Sequence, residues 1–473
     1  MVGSRSRKDV AKGGANASLA KSTRRLSRRS LLGLALSVPA AAVLAGCGVA
    51  GLPGAQKQGQ KVQLVYQDWR TEWFPAMVQT MLEQFHANHP NIRVFYLPDP
   101  ENLEEKMPEA MQAGTAPDVF QGCCAHFPVW AQSGYTLNLS HYVRADLDKS
   151  TIADWDPVQY KALFTRDGVQ YGLPKYHGAL ALYYNKDMLD NYRVDYPNES
   201  WSHDDYLTAM KRLARDRDGD GQRDLWGSMV DISWDRLQVY VNSWGGHFVD
   251  PADGVTCRMD EPAALAAFEW LRARMWDDRV MASLQDTQKV GTSESFVAGR
   301  LAMVEDGSWA LKSILNGANF RIGVAPRPKG PAARATLATT DGFGIYSGTR
   351  YPEAAWELVK FLISPQYGRA MASANFLQPA RASLYPDWSG YVREQYPNLA
   401  ADLDLSAFLH GQNNGYSVVA EVFDKNMAAA RQIANSAWGR MFTLPQAPVS
   451  LMKDACREIQ EAQQQRGGVG QCC

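Results

Sequence analysis

The sequence predicts an α/β fold, and three observations carry the prediction. Apolar runs of strand length alternate with stretches of helical period, the first strand–helix–strand unit closes within about 35 residues, and no solenoid repeat or internal membrane span interrupts the pattern. Val62-Gln63-Leu64-Val65-Tyr66 reads as the first strand. Phe74, Met77, Val78, Met81, Leu82 and Phe85 then recur at three- and four-residue steps, as on the buried stripe of a helix. Asn88-His89-Pro90-Asn91 stops that helix, and Ile92-Arg93-Val94-Phe95-Tyr96 begins a second strand, for which parallel pairing through a right-handed crossover is the default. Val119-Phe120 is a further short buried strand. Helices follow over 201–214 (Tyr206, Leu207, Met210 and Leu213 inward), 262–276 (Leu265, Phe268, Leu271 and Met275) and from Pro352 to a stop at Ser364-Pro365, with a last one over 448–463.

The N-terminus reads as an address. Basic residues reach Arg24-Arg25, Ser27-Arg28-Arg29-Ser30-Leu31-Leu32 follows, and an apolar stretch covers 31–45. That stretch falls short of the roughly 20 residues a membrane-spanning helix requires, and the layout is that of an export signal over 1–46. Arg-Arg before Ser-Leu-Leu resembles a twin-arginine signal, with an ordinary secretory signal as the alternative. Leu44-Ala45-Gly46-Cys47 resembles a lipoprotein processing site, which would make Cys47 the diacylated first residue of the mature chain, anchored outside the cell membrane; a plain cleaved signal is the rival. Residues 47–60, rich in Gly, Gln and Pro, read as a flexible tether.

Of the seven cysteines, six remain beyond Cys47, and no C-x-x-C or zinc spacing occurs among them. Cys456 shares a helical stripe with Met452 and Ile459 and reads as a core thiol. Disulfides suit an exported chain, but spacing assigns no partners. A formal net charge of −1 gives no field for nucleic acid, so no nucleic-acid partner is expected.

Gly172-Leu173-Pro174 and Ala181-Leu182-Tyr183-Tyr184-Asn185-Lys186-Asp187 form a motif pair that resembles the extracellular solute-binding lipoproteins of ABC-type sugar importers, the group that includes maltose-binding protein. Gly114-Thr115-Ala116-Pro117-Asp118-Val119, the run from Phe296 through Ala298-Gly299-Arg300 to Met303, Gly307-Ser308-Trp309-Ala310-Leu311, Gly323-Val324-Ala325-Pro326 and Pro352-Glu353-Ala354-Ala355-Trp356 extend the resemblance in the same order along the chain. It implies a two-lobed periplasmic-binding-protein-like fold, each lobe a sheet flanked by helices. One lobe would take 60–174 and 331–376, the other 177–326 and 380–465, with hinge crossings near Pro174, Pro326 and Leu377-Gln378-Pro379. It also implies a monomer that binds a carbohydrate between the lobes and hands it to the transmembrane subunits of an importer, without catalysis.

A sugar presents hydroxyls around its ring and two C–H faces, so its complement is charged or amide groups with flat aromatic rings. Such groups are expected just after strands and at crossings. Asp68 and Trp69 follow the first strand; Trp69 either stacks on ligand or packs on the helix behind it. His126 follows Val119-Phe120, as a contact or as a solvated loop residue. By the resemblance, Tyr176, His177, Trp309, Asp341, Gly342 and Arg381 face the cleft, and Trp234 and Trp244 (before Gly245-Gly246) are second-lobe candidates. Arg381 could grip paired hydroxyls or a carboxylate, the latter implying an acidic sugar.

A separate loop, Asp216-Arg217-Asp218-Gly219-Asp220-Gly221-Gln222-Arg223-Asp224, matches the first nine places of an EF-hand: Asp216, Asp218, Asp220 and Asp224 as carboxylates, the backbone oxygen of Gln222, and glycine at the sixth place. The twelfth place is Gly227 and not glutamate, so the loop reads as a structural calcium site of modest affinity or as a solvated acidic turn. No cofactor is otherwise required. The rival function classes are an exported carbohydrate-active enzyme and a surface sensor with the same fold. G-x-S-x-G, H-E-x-x-H and phosphate-loop motifs are all missing from the sequence, which weighs against the enzyme.

Overall fold

A computed structural model describes residues 61–68, 75–98, 103–400 and 402–464. The export signal, the tether, Cys47 and Trp69 lie outside the described residues. Twelve short strands are present among those described: β1 (Val62–Asp68), β2 (Ile92–Pro98), β3 (Val119–Gly122), β4 (Leu173–Pro174), β5 (Leu180–Asn185), β6 (Ser228–Met229), β7 (Met281–Ala282), β8 (Met303–Gly307), β9 (Ile322–Ala325), β10 (Thr336–Leu337), β11 (Gly342–Ile345) and β12 (Ser417–Val418).

The first lobe is built on one sheet in the order β2-β1-β3-β11-β4. β1 pairs in parallel with β2 from Val62↔Ile92 to Asp68↔Pro98 and in parallel with β3, as the strand–helix–strand unit predicts. β11 returns from far along the chain and lies antiparallel to both β3 and β4. Leu64, Tyr66 and Asp68 face inward at period two. The helix Pro75–Asn88 covers the sheet with Val78, Met81, Leu82 and Phe85, and Pro352–Leu362 adds Ala355, Trp356, Leu358, Val359 and Leu362 to the same core.

The second lobe has smaller sheets and more helix. β5 is central, antiparallel to β8 on one side and β9 on the other. All six of its residues are buried, which explains its unbroken apolar reading. β6 pairs with β7 in parallel, and helices His203–Leu213, Trp234–Ser243, Pro262–Trp276, Met427–Met441 and Leu451–Gln464 pack around a large aromatic core. Ser202 and Asp205 close a capping box at the start of the first of these.

Two expectations are corrected here. Cys456 is buried on its helix, but it is not a free core thiol: it forms a disulfide with Cys257, joining the 249–257 turn to the last helix. A buried apolar stripe describes a half-cystine as well as a thiol, so helical period alone could not separate the two. The crossing expected at Pro326 falls later. The buried Arg327 guanidinium binds Glu305 of β8 (2.7 Å) and the Ala335 carbonyl, Ala338 bridges Ala179, and β10 pairs with β12. These bonds hold 335–338, expected in the first lobe, on the second, and the chain passes over at 339–341.

Candidate functional site

Three crossings lie side by side at the hinge. Tyr176 bridges Pro379, the His177 amide donates to the Gln378 carbonyl (3.0 Å), and the Gly178 amide donates to Thr339 Oγ1 (3.1 Å). The buried Gln159 side chain donates to the carbonyls of both Tyr176 (2.8 Å) and Thr339 (2.6 Å), tying two crossings to one group. Tyr176 is half-buried at this point. His177 was expected to line the cleft; it is instead fully buried inside the hinge, 3.8 Å from the Asp156 carboxylate. Burial lowers its pKa, and Asp156 only partly opposes that.

Beside the hinge, the first lobe carries a buried polar network. Lys175 reaches both Asp68, at the end of β1, and Gln121 of β3. Tyr66 donates to the other Asp68 oxygen (2.5 Å), and Gln121 donates to Asp341 (3.0 Å). The Lys175 and Asp68 side chains have no solvent exposure. Burial pushes the Lys175 ammonium down and Asp68 pulls it back up; burial, then Asp68, raise the Tyr66 hydroxyl well above its ordinary value. Asp68 and Asp341, expected to meet ligand hydroxyls, are thus used inside their own lobe. Gly342 is likewise structural: it pairs with Pro174 and Gly122, and a Cβ there would stand 2.8 Å from the Leu173 carbonyl.

The second lobe offers the open space. A cavity of about 600 Å³ is lined by the end of β6, the start of helix Trp234–Ser243, the helix Thr292–Val297, β8 and Trp309. Trp309 is half-buried, close against Gly178 and Gly307, neither of which leaves room for a Cβ beside the indole. The Arg236 guanidinium lies 5.1 Å from the Trp309 ring centroid and donates to Asp306 (2.5 Å). Burial works against the charge on Arg236, but Asp306, Asp231 and Asp235 outweigh it and hold the pKa above the ordinary arginine value. A second cavity, about 260 Å³, shares the wall Val230, Ile232 and Leu284 and continues to Trp234, Arg431 and Asn435.

The remaining expected residues separate. His126 begins the helix His126–Gln132 and contacts Arg431 of the opposite lobe, across the cleft. Trp234 is a core residue: its indole N–H donates to the Glu421 carbonyl (2.8 Å), and its ring packs on Phe248, Phe423 and Trp438. Trp244 stacks into a cluster with His203, Tyr240 and Trp270 and lines neither cavity. Arg381 stacks over Trp155 (5.4 Å) and donates to the Ile363 carbonyl (3.0 Å) and to Asp154, contacts within the first lobe. Large apolar rings and a long cation satisfy packing as readily as ligand contact. Sequence reasoning missed Lys175, Asp231, Arg236, Asp306 and Arg431. Asp231 and Asp306 carried a usable signal, since they sit just past β6 and near the end of β8, where cleft residues belong.

In the acidic loop, Asp216, Asp218 and Asp220 bring carboxylate oxygens within 4.8 Å of one another. Asp216 accepts from the Gly221 (2.8 Å) and Gly219 (2.7 Å) amides, which hold its pKa below the usual carboxylate range. Both glycines have positive φ, +80° and +86°, which the tight turn requires. Asp224 turns away to the Arg217 side chain (3.1 Å), and the Gln222 amide donates to Asp220 (2.7 Å).

Two sheet-centred lobes, three hinge crossings and a second-lobe cavity walled by Trp309 beside them define a bilobal binding protein. The chain belongs to the bacterial extracellular solute-binding protein family, whose model matches residues 67–369. A putative binding protein of Brucella abortus is 24% identical over 335 residues, covering 69% of this chain and 77% of that one. The maltotriose-binding protein of Pyrococcus abyssi is 24% identical over 309 residues, covering 62% and 61%. Among solved structures, an ABC substrate-binding protein from Listeria monocytogenes in complex with cycloalternan superposes with TM-score 0.73 at 21% identity, covering 85% of this chain and 99% of that one. UspC of M. tuberculosis gives TM-score 0.67 at 25% identity, covering 85% and 100%.

Proposed function

We propose that this chain binds a carbohydrate between its lobes, at the Trp309 cavity, and delivers it to the transmembrane subunits of an ABC importer. The observation that carries the reading is a half-buried indole set by two glycines at the mouth of a 600 Å³ space beside the hinge. That arrangement gives a sugar ring a flat apolar wall flanked by charged hydrogen-bonding groups. Relatives named for maltotriose and arabinooligosaccharide, and a similar fold bound to mannotriose, support it. Binding shifts the lobes toward a closed state that the importer reads, and no bond in the ligand is broken. The protein acts as a monomer held to the outer face of the membrane through lipidated Cys47, and Ca²⁺ held by Asp216, Asp218 and Asp220 braces the loop between helix His203–Leu213 and β6.

A thermal-shift screen of mono- and oligosaccharides, with and without calcium, tests this, because a ligand bound only by the native state raises the unfolding temperature. The best ligand is then titrated into Trp309→Ala, which is expected to bind it about 1–3 kcal/mol more weakly. Unchanged affinity in the folded variant places the site elsewhere, and hydrolysis of the ligand by purified protein ends the binding-only reading.

A further inference from the structure

We propose that the Trp309 cavity selects an amino-substituted, cationic sugar over its neutral and acidic counterparts, a deeper statement that rests on the carbohydrate reading of this cavity. Four charged side chains line it: Asp231, Glu294, Asp306 and Arg236. Two of them cancel. Arg236 donates to one Asp306 oxygen (2.5 Å), which also accepts from the Gly307 amide (2.7 Å), while the Ser293 hydroxyl donates to the other. These two side chains are only 12% and 7% exposed, so the pair is a fixed part of the wall.

Asp231 and Glu294 are different. Both are exposed on the cavity, and neither enters an ion pair among the described residues. Of the cations nearby, Lys175 is sealed against Asp68 and Gln121, and Arg431 lies on the adjoining cavity, against His126, and not on this one. The open space therefore presents a surplus of negative charge beside an aromatic wall. An ammonium group on a sugar ring meets that surplus with charge-assisted hydrogen bonds, which are stronger than those a hydroxyl makes, and a ligand carboxylate is repelled. Arg381, the arginine suited by type to an acidic sugar, is held against Trp155 and Asp154.

Titration calorimetry on the purified protein with matched ligands tests the assignment: glucosamine and its disaccharide, the N-acetylated forms, glucose and cellobiose, glucuronic acid, and spermidine as an ammonium source without a ring. The amino sugar is expected to bind at least about tenfold tighter than its N-acetyl and hydroxyl partners at low ionic strength, with the ratio shrinking as salt is added. In the double variant Asp231→Asn, Glu294→Gln the ratio should fall toward one. Equal or tighter binding of the neutral or acidic partner overturns the inference and leaves the carbohydrate reading standing, as does a ratio that survives in the double variant. Binding of spermidine with no saccharide keeps the charge assignment and overturns the sugar, and silence across the panel overturns both.

Discussion

The polar network of the first lobe and the cavity of the second place charge in opposite ways. In the first, Lys175, Asp68, Gln121 and Asp341 bind one another beneath the ends of the strands, out of solvent. In the second, Asp231 and Glu294 stand exposed on a cavity, whose wall also carries the matched pair Arg236 and Asp306. The first lobe's charges therefore fix where the β4 crossing leaves the sheet, while the second lobe's remain available to a ligand. A five-stranded sheet suits the first task, because its register holds several polar side chains at defined spacing.

Removing the first lobe's central cation should break this contrast most sharply. Lys175→Met leaves Asp68 buried without its ammonium, and loss of one partner of a buried pair costs about 3–5 kcal/mol. Urea unfolding should register that loss, while Asp231→Asn in the second lobe shifts stability by no more than about 0.5 kcal/mol. Lys175→Met combined with Asp68→Leu should recover part of it, since Asp68 is then no longer a buried charge without its partner and Asp341 keeps its bond from Gln121. A single-variant loss below about 1 kcal/mol would mean that water reaches the network and that the lobes differ less than their burial suggests.

The second lobe has its own buried titratable group, and pH exposes it. His203 packs among Tyr206, Tyr240, Trp244 and Trp270, and burial lowers its pKa to about 4, with Glu305 pulling the other way. Above the ordinary histidine value of 6.5, folded and unfolded chains are both neutral at this site. Between 6.5 and about 4 the unfolded chain takes a proton that the folded one refuses, so stability falls as pH falls, by about 3 kcal/mol across that window. His177 at the hinge adds a loss of the same sign. Unfolding free energies measured at several pH values for His203→Gln should show a flatter slope than the parent whatever their level at pH 7. Parallel slopes would assign the acid sensitivity to other groups.

How much of this was legible in the sequence divides along the same physical line. Period-two and period-3.6 patterns placed β1, β2 and the helix Pro262–Trp276 because their neighbours are local, and parallel pairing followed from the short crossover. The 335–338 segment and the Cys257–Cys456 bond depend on partners 81 and 199 residues distant (Leu337 with Val418, Cys257 with Cys456), so no local pattern could report them. At the site, the resemblance pointed to Trp309, which lines the second-lobe cavity. Asp68 was named as a ligand group because its position after a strand is the same whether its carboxylate meets a sugar or Lys175. Position along the chain gives access to a cleft, and only three-dimensional pairing says whether a charge is already spent.

The smallest expected effect concerns the contact between the lobes. Arg166, in the first, donates to Asp424 of the second (2.8 Å) and to the Pro251 carbonyl (3.1 Å), and Gln132 reaches the same Asp424 (3.3 Å). The ion pair is 49% and 26% exposed, so solvent screening leaves it at most about 1 kcal/mol. That is too little to matter for unfolding, but a difference of this size moves a two-state opening equilibrium up to about fivefold. Arg166→Ala should therefore leave the urea midpoint nearly unchanged while weakening ligand binding up to about fivefold, with small-angle scattering of the free protein shifted toward a more open form. Adding salt should bring the parent toward the variant, because screening acts on the exposed pair and not on the Lys175 network. Equal scattering profiles and equal affinity would show that the hinge and its buried groups alone set the closed state.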